Sequence, residues 1–290
     1  MAVGAKTTNA TVSDSIRALA EHDVEHLRLG FWSRLTEQEA KEAIRRFPGR
    51  SVWLPETLEY AIISPWRHRT EIANILALSA ARHPSEMLES VVERSAHLGA
   101  KSVISVEAEE VRHPAFYERA GFHVLEEVIT LDLDCRHIRI EPGGPLSFRL
   151  ASISDHEDLA TLMWLDREAF PWLWRNSEEE FRAYAAAPGV ELVFGYLEQQ
   201  PVCYLGLTAY LGWGHLDRIA VHPLRQGQGI GGNALAFAIA RLRQFGAQRI
   251  GLSTQKTNYR SQRLYERFGF RRVVEHDYRI YGLMMRNPDH

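Results

Sequence analysis

The chain reads as an α/β protein, a mixed sheet of α+β type flanked by helices, built as two similar domains. Three observations carry that expectation. Strand-like and helix-like apolar patterns alternate along the 290 residues. A heptad recurs: Phe116-Tyr117-Glu118-Arg119-Ala120-Gly121-Phe122 matches Leu264-Tyr265-Glu266-Arg267-Phe268-Gly269-Phe270 at five of seven positions, 148 residues later. A glycine-rich loop, Gln226 to Gly232, stands between a strand pattern and an alanine-rich helical pattern.

Composition sets the bounds. The length allows one large or two ordinary domains. Hydrophobic content of 45% and charged content of 24% are those of a soluble globular chain. The net charge of -3 gives no electrostatic case for a nucleic-acid or membrane-surface partner. Cys135 and Cys203 lie far apart and form no Cys-x-x-Cys pair, so neither a disulfide framework nor a metal site is expected. The first residues hold no long apolar run, which makes a cytoplasmic location the expectation.

In order, Thr11 to Ala20 reads as a helix, with Ile16, Leu19 and Ala20 at helical spacing. A second helix is expected over 34–46, before Pro48. Leu58 to Ser64 and Glu71 to Leu78 read as strands. Pro84 opens a helix through Leu98, with Met87, Leu88, Val91 and Val92 on one face and Gly99 as its stop. Ser102 to Val106 is a strand, Pro114 to Arg119 a short helix, and Val124 to Leu133 a strand. Pro-Gly-Gly-Pro, within 134–145, is the clearest breaker. The domains are therefore expected at 1–143 and 144–290.

The second copy opens with a strand over Leu146 to Leu150. Ser154-Asp155-His156-Glu157 has the form of a capping box, and Leu159, Leu162 and Met163 follow on one helix face. An aromatic segment, Ala169 to Asn176, offers Phe170, Trp172 and Trp174 either to the core or to a substrate wall. Glu191 to Leu197 and Val202 to Leu211 read as strands, and Gly212-Trp213-Gly214 turns into a central strand through Val221.

The loop carries the chemistry. Gly227, Gly229, Gly231 and Gly232 let successive N–H groups converge on one spot. The helix behind them adds unpaired N–H groups and the positive end of its dipole, an anion site suited to a diphosphate. Gly227, Gly229 and Gly232 also satisfy the dinucleotide fingerprint G-x-G-x-x-G. That reading wants an acidic residue after the next strand, but Arg249 to Thr254 runs into Gln255, Lys256 and Thr257. In the first copy the matching place is Ser79-Ala80-Ala81-Arg82-His83-Pro84, without glycine and with a proline that lacks an N–H, so this copy is expected to hold no diphosphate.

The second half resembles the GNAT superfamily of N-acetyltransferases. Gln226-Gly227-Gln228-Gly229-Ile230-Gly231 matches the family's loop, and Ala220-Val221-His222-Pro223 matches the strand end before it. Asn258, Tyr265, Gly269 and Phe270 match its later signature, and the resemblance covers roughly residues 146–285. The first half then looks like a degenerate second copy, making two fused GNAT-like domains.

The resemblance implies acetyl-CoA as donor and a primary amine as acceptor. Gln226, Gly227, Gln228, Gly229, Ile230, Gly231 and Gly232 would hold the diphosphate. Ile219, Ala220 and Val221 would pair with the pantetheine arm, and Asn258 would hold the arm from the other side. Tyr265 would protonate the departing thiolate. His215 aligns with the base of the histone-acetylating branch, and a histidine pKa of about 6.5 suits that role. Asp217 would orient a water or bind a substrate cation. In a regular strand His215, Asp217, Ile219 and Val221 share one face. The aromatic segment is similar to the Phe-Pro-Trp of the ribosomal alanine branch, with Phe170, Trp172 and Trp174 as acceptor contacts. That branch places its base where this chain has Ser253. The tandem arrangement is also similar to the mycothiol synthases, and a CoA-sensing or scaffolding protein without turnover is the reading from another class.

Overall fold

Val12–Ser15 form a short helix, α1, in the computed structural model, which describes residues 12–29, 35–108, 114–138, 140 and 143–285. The helix expected over Thr11 to Ala20 stops early, and Thr11 lies outside the described residues. Arg17–Ala18 instead form a strand, β1, whose backbone groups bond to Val52 and Trp53 while Ile16 and Leu19 turn into the core. Helix α2, Glu37–Arg46, begins at a true capping box: Thr36 Oγ1 accepts from the N–H of Glu39, and the Glu39 carboxylate accepts from Thr36. It buries Ala40, Ala43 and Ile44.

The first unit's sheet then builds up from β2 (Val52–Leu54), β3 (Glu59–Trp66) and β4 (Arg69–Ser79). The β3–β4 turn is made by Arg67 and His68, both with positive φ, which matches the right-handed twist of a tight hairpin. Helix α3, Pro84–His97, connects β4 to the parallel strand β5, Ser102–Glu107. Gly99 ends it at φ +83°. Met87, Leu88 and Val91 pack on Ile63, Ala73 and Val103 together with Tyr117 of α4, Pro114–Arg119. The opposite face carries α2, with Tyr60, Ile62 and Ala77 beneath Ala40 and Ile44.

The second unit starts in β6, His123–Asp134, and continues through β7 (Ser147–Leu150) into α5 (His156–Ala169). The cap of α5 is Asp155 rather than Ser154. Its carboxylate accepts from the N–H groups of Glu157 and Asp158, and its charge suits the helix dipole better than a hydroxyl. A 3-10 turn over Trp172–Trp174 leads to α6, Glu178–Ala186, capped by Ser177. Then come β8 (Val190–Leu197), β9 (Gln200–Tyr210), β10 (Trp213–Val221), α7 (Ile230–Gln244), β11 (Arg249–Gln255), α8 (Tyr259–Arg267) and β12 (Arg271–Arg272). The strand order is β6-β11-β10-β9-β8-β7, with β12 on β6 and only β10–β11 parallel. The apolar run in α7 has a direct cause: Ala234, Leu235, Ala238, Ile239 and Leu242 are all buried against Leu205, Leu216, Ile250 and Leu252. On the other face Leu159, Leu162, Leu165 and Phe181 cover Leu192, Phe194, Tyr204 and Ala220.

The final strand, β13 (Tyr278–Met284), pairs with β5 of the first unit from Arg279↔Glu107 to Met284↔Ser102. Strand β6, which follows the first heptad, pairs instead with β11 of the second unit, from Val128↔Gln255 to Asp134↔Arg249. The compact units are therefore 1–125 with 279–290, and 126–278. They cut the chain differently from the sequence copies expected at 1–143 and 144–290, because each copy's late strand is built into the other unit.

Candidate functional site

The site of the second unit begins where two parallel strands separate. Strands β10 and β11 are paired only from Trp213↔Arg249 to Leu216↔Leu252. Beyond those residues β10 remains bonded to β9, as far as Val221↔Cys203, and β11 remains bonded to β6. The inward edges of Asp217–Val221 and Ser253–Gln255 thus face each other across a gap, with backbone groups available to an extended ligand.

A β-bulge lies at the start of this gap. Leu216 pairs with Leu207 and Arg218 with Gly206, which leaves Asp217 as the extra residue. The bulge overturns the expectation that His215, Asp217, Ile219 and Val221 share one face. Ile219 and Val221 pack toward α7 with Leu216. His215 and Asp217 lie on the α5–α6 side, where Arg218 and Ala220 also point. One inserted residue shifts the alternation by one, so the strand presents polar groups to one side of the gap and apolar ones to the other.

The glycine loop lies just past the end of β10. Gly227 and Gly229 have φ of +84° and +81°, a conformation that side chains with a Cβ rarely adopt. Gly229 is the cap of α7. Among the described residues no turn or cap bond uses the N–H groups of Gly227, Gln228 or Gly229. Those of Ile230, Gly231 and Gly232 open the helix and have no intrahelical partner. Gln226 pins the loop: its Nε2 donates to the Val221 carbonyl at 3.1 Å, and its Oε1 accepts from Arg260 at 3.0 Å. Gly231 sits against Leu264 of α8, where a Cβ would stand 3.4 Å away, the near edge of ordinary contact.

Helix α8 holds the two signature residues. Asn258 caps it, with Oδ1 accepting from the Ser261 N–H at 3.2 Å, so its side chain is already committed at one atom. Tyr265 is 4% exposed and packs edge-on to Phe270. Burial pushes its phenol up to about 12, partly offset by the Ser261 hydroxyl one turn earlier, so the group keeps its proton at neutral pH.

The α5–α6 side of the gap carries a hydrogen-bonded set. Asp217 accepts from Tyr184 Oη and Thr208 Oγ1 at 2.7 Å each, and from His215 Nδ1 at 2.9 Å. Burial opposes its charge, but these donors, His215 first, outweigh it and hold the carboxyl below its ordinary range. An ionised carboxylate can only accept, so His215 Nδ1 must donate, and in the neutral ring Nε2 is left with a free lone pair. The ring lies over Gly251, where a Cβ would stand 3.2 Å from it.

Sequence reasoning missed what supports this set. Arg218 is 8% exposed and forms an ion pair with Asp166, which is 1% exposed. Tyr204 donates to the same carboxylate and accepts from Arg218 Nε at 3.1 Å. Both terminal nitrogens of Arg218 donate to the Trp174 carbonyl at 2.9 Å, and its guanidinium lies 3.9 Å over the Phe170 ring. The aromatic segment is thereby tied to β10. Phe170 and Trp174 are packed groups, whereas Trp172 is 38% exposed. The signal was present only as a buried-type spacing of Asp166, Tyr204 and Arg218 on three separate elements.

The first unit treats the matching place differently. Glu59, 6% exposed, aims its carboxylate at the β4–α3 loop. Its Oε1 accepts from the N–H groups of Arg82 at 2.6 Å and His83 at 3.2 Å, and its Oε2 from Thr57 Oγ1 at 2.8 Å. An internal anion is thus held by the loop just before α3. Tyr117 is fully buried, stacks on Tyr281 and bonds to Ser105 and Glu107.

Residues 158–270 match the model of the acetyltransferase (GNAT) family. No curated protein matches the sequence. Among solved structures, a GCN5-related N-acetyltransferase from Sphaerobacter thermophilus is 15% identical with a TM-score of 0.62, over 94% of this chain and 96% of its own. A tandem GNAT protein from the clavulanic acid biosynthesis pathway is 11% identical with a TM-score of 0.58, over 94% and 99%. A glucosamine N-acetyltransferase region of a fungal multi-domain β-N-acetylglucosaminidase is 12% identical with a TM-score of 0.65, over 92% of this chain and 38% of that one. At such identities the likeness is one of fold. Residues 158–270 thus match the GNAT acetyltransferase family, and the chain shares its fold with solved tandem GNAT proteins.

Proposed function

We propose that the second unit transfers an acetyl group from acetyl-CoA to a primary amine, and that the first unit binds no donor. The observation that carries this reading is the gap between β10 and β11, with the unpaired N–H groups of the Gly227–Gly232 region at its end. The donor diphosphate would lie on those N–H groups. Its pantetheine arm would run beside Ile219–Val221 as a further strand, held opposite by Asn258.

The amine attacks the thioester carbon directly, and a tetrahedral intermediate forms and collapses to an amide and the CoA thiol. A backbone N–H near Ile219 or Val221 would face the oxyanion. His215 Nε2 would take the proton from the amine, with Asp217 fixing the ring tautomer through its bond to Nδ1. Tyr265, still protonated at neutral pH, would give its proton to the departing thiolate. Glu59 supports the silence of the first unit, since a carboxylate already fills the place of a donor phosphate.

The test is release of free CoA thiol from acetyl-CoA with a panel of primary amines. Amine-dependent release supports the reading. Saturable acetyl-CoA binding with no release by any amine would make the protein a CoA-sensing module instead.

A further inference from the structure

The acceptor side of the gap includes a residue that lies outside the family match. Strand β6 runs beside β11 to Val128↔Gln255, and the pairing continues as the Lys256 N–H donates to the Glu127 carbonyl at 2.8 Å. Glu126 therefore lies level with Thr257, at the open end of the gap. Ile129, Leu131 and Leu133 face the α7 core. Glu126 has the opposite parity and shares the other face with Thr130, whose hydroxyl meets Ser253 at 3.3 Å. That face also carries His215 and Asp217.

Trp174 fixes the carboxylate. Its carbonyl is held by Arg218 on β10, and its indole Nε1 donates to Glu126 Oε2 at 3.2 Å. Trp174 thus links β10 to β6. Glu126 is half-buried, and among the described residues no Lys, Arg or His pairs with it, whereas its neighbour Glu127 pairs with Lys256 at 3.0 Å. Burial raises its pKa, as expected of a carboxylate that lacks a counter-charge. Arg218, which bonds to the same Trp174, is already spent on Asp166. A partly desolvated, unpaired carboxylate costs stability unless a bound cation offsets it.

We propose that Glu126 recognises a second positive charge on the acceptor, so that the substrate is a diamine or another primary amine bearing a separate cationic group. The spacing agrees with two separate charges. The His215↔Gly251 level and the Glu126–Thr257 level are six residues apart, roughly 20 Å along the strand, and Trp174, bonded to both Arg218 and Glu126, brings the carboxylate back within one tryptophan's length of Arg218. An amine near the thioester cannot itself touch Glu126, but the far end of an extended diamine can. Because β6 precedes residue 158, the sequence copy that lacks a donor site supplies this recognition group to the unit that has one.

This inference rests on the acetyl-transfer reading, and the test separates the two. Calorimetry of the full chain saturated with CoA, which cannot react, is run with 1,10-diaminodecane and with 10-amino-1-decanol. The diamine is expected to bind at least tenfold tighter. Glu126→Gln, which keeps an acceptor for Trp174, is expected to bring the two within about twofold, with CoA affinity unchanged. Equal affinities in the wild type, or a preference that survives Glu126→Gln, would overturn the role of Glu126. Retained diamine preference with no acetyl transfer would leave Glu126 standing and remove the acetyl-transfer reading instead.

Discussion

Replacing Glu59 tests the internal-anion argument for the first unit. Its carboxylate is nearly fully buried and accepts from two main-chain N–H groups of the loop before α3 and from the Thr57 hydroxyl. Hydrogen bonds to a charged group contribute on the order of 1.5–3 kcal/mol each in favourable cases. The cost of burying the charge and the access of water to the loop after truncation offset much of that sum. The expected loss for Glu59→Ala is about 2–4 kcal/mol, and about 1–2 for Glu59→Gln, which keeps an acceptor without the charge. Against a whole-domain stability of roughly 5–15 kcal/mol this is large.

The dependence on pH has a definite sign. Although burial acts to raise it, the donors bring the folded pKa of Glu59 below the ordinary 4.5. Its contribution is therefore complete above the unfolded value and fades as pH falls through the folded one. Urea unfolding at neutral pH and again below pH 4.5 reads both quantities. A loss under about 0.5 kcal/mol for Glu59→Ala at neutral pH, or a gap between wild type and Glu59→Gln that widens on acidification, would refute the internal-anion argument.

Further outcomes concern the second unit. Tyr265→Phe keeps the ring and removes the acid, and kcat is expected to fall by roughly 10²–10⁴-fold with acetyl-CoA affinity little changed; near-normal turnover with chemistry rate-limiting would exclude the phenol. Because the Tyr265 phenol is pushed up to about 12, the wild-type rate should show no loss near pH 10, where an ordinary tyrosine ionises. In kcat/KM against pH, corrected for ionisation of the amine, His215→Ala should remove the limb that rises with pH, while Asp217→Asn should weaken it by disturbing the tautomer; an unchanged profile in His215→Ala would move the base elsewhere.

The parts of the fold that were legible in the sequence are those fixed by neighbours in the chain. Pro84 and Gly99 bracket α3, and Gly227 and Gly229 announce a loop that needs positive φ. Tyr265 and Gly269 mark α8 through the resemblance to the GNAT signature. What failed depends on distant partners. Nothing local says that β6 will pair with β11, or β13 with β5, since either strand presents the same apolar alternation to either sheet. The bulge at Asp217 is set by β9, and it reversed the side on which Ile219 and Val221 lie. The same holds for the Asp166–Arg218 pair and for Glu59, whose partners lie 52 and 23–24 residues away. At α5 the error was one residue: two adjacent candidates could cap, and the charged one did.

The central claim is that one chain holds one donor, on the glycine loop of the second unit. Titration calorimetry of the intact chain with acetyl-CoA reads it directly. The expected stoichiometry is near one, and Gly229→Glu should abolish binding, because φ of +81° strains any side chain and a carboxylate opposes the diphosphate. Two saturable sites per chain, or binding that persists in Gly229→Glu, would contradict the account.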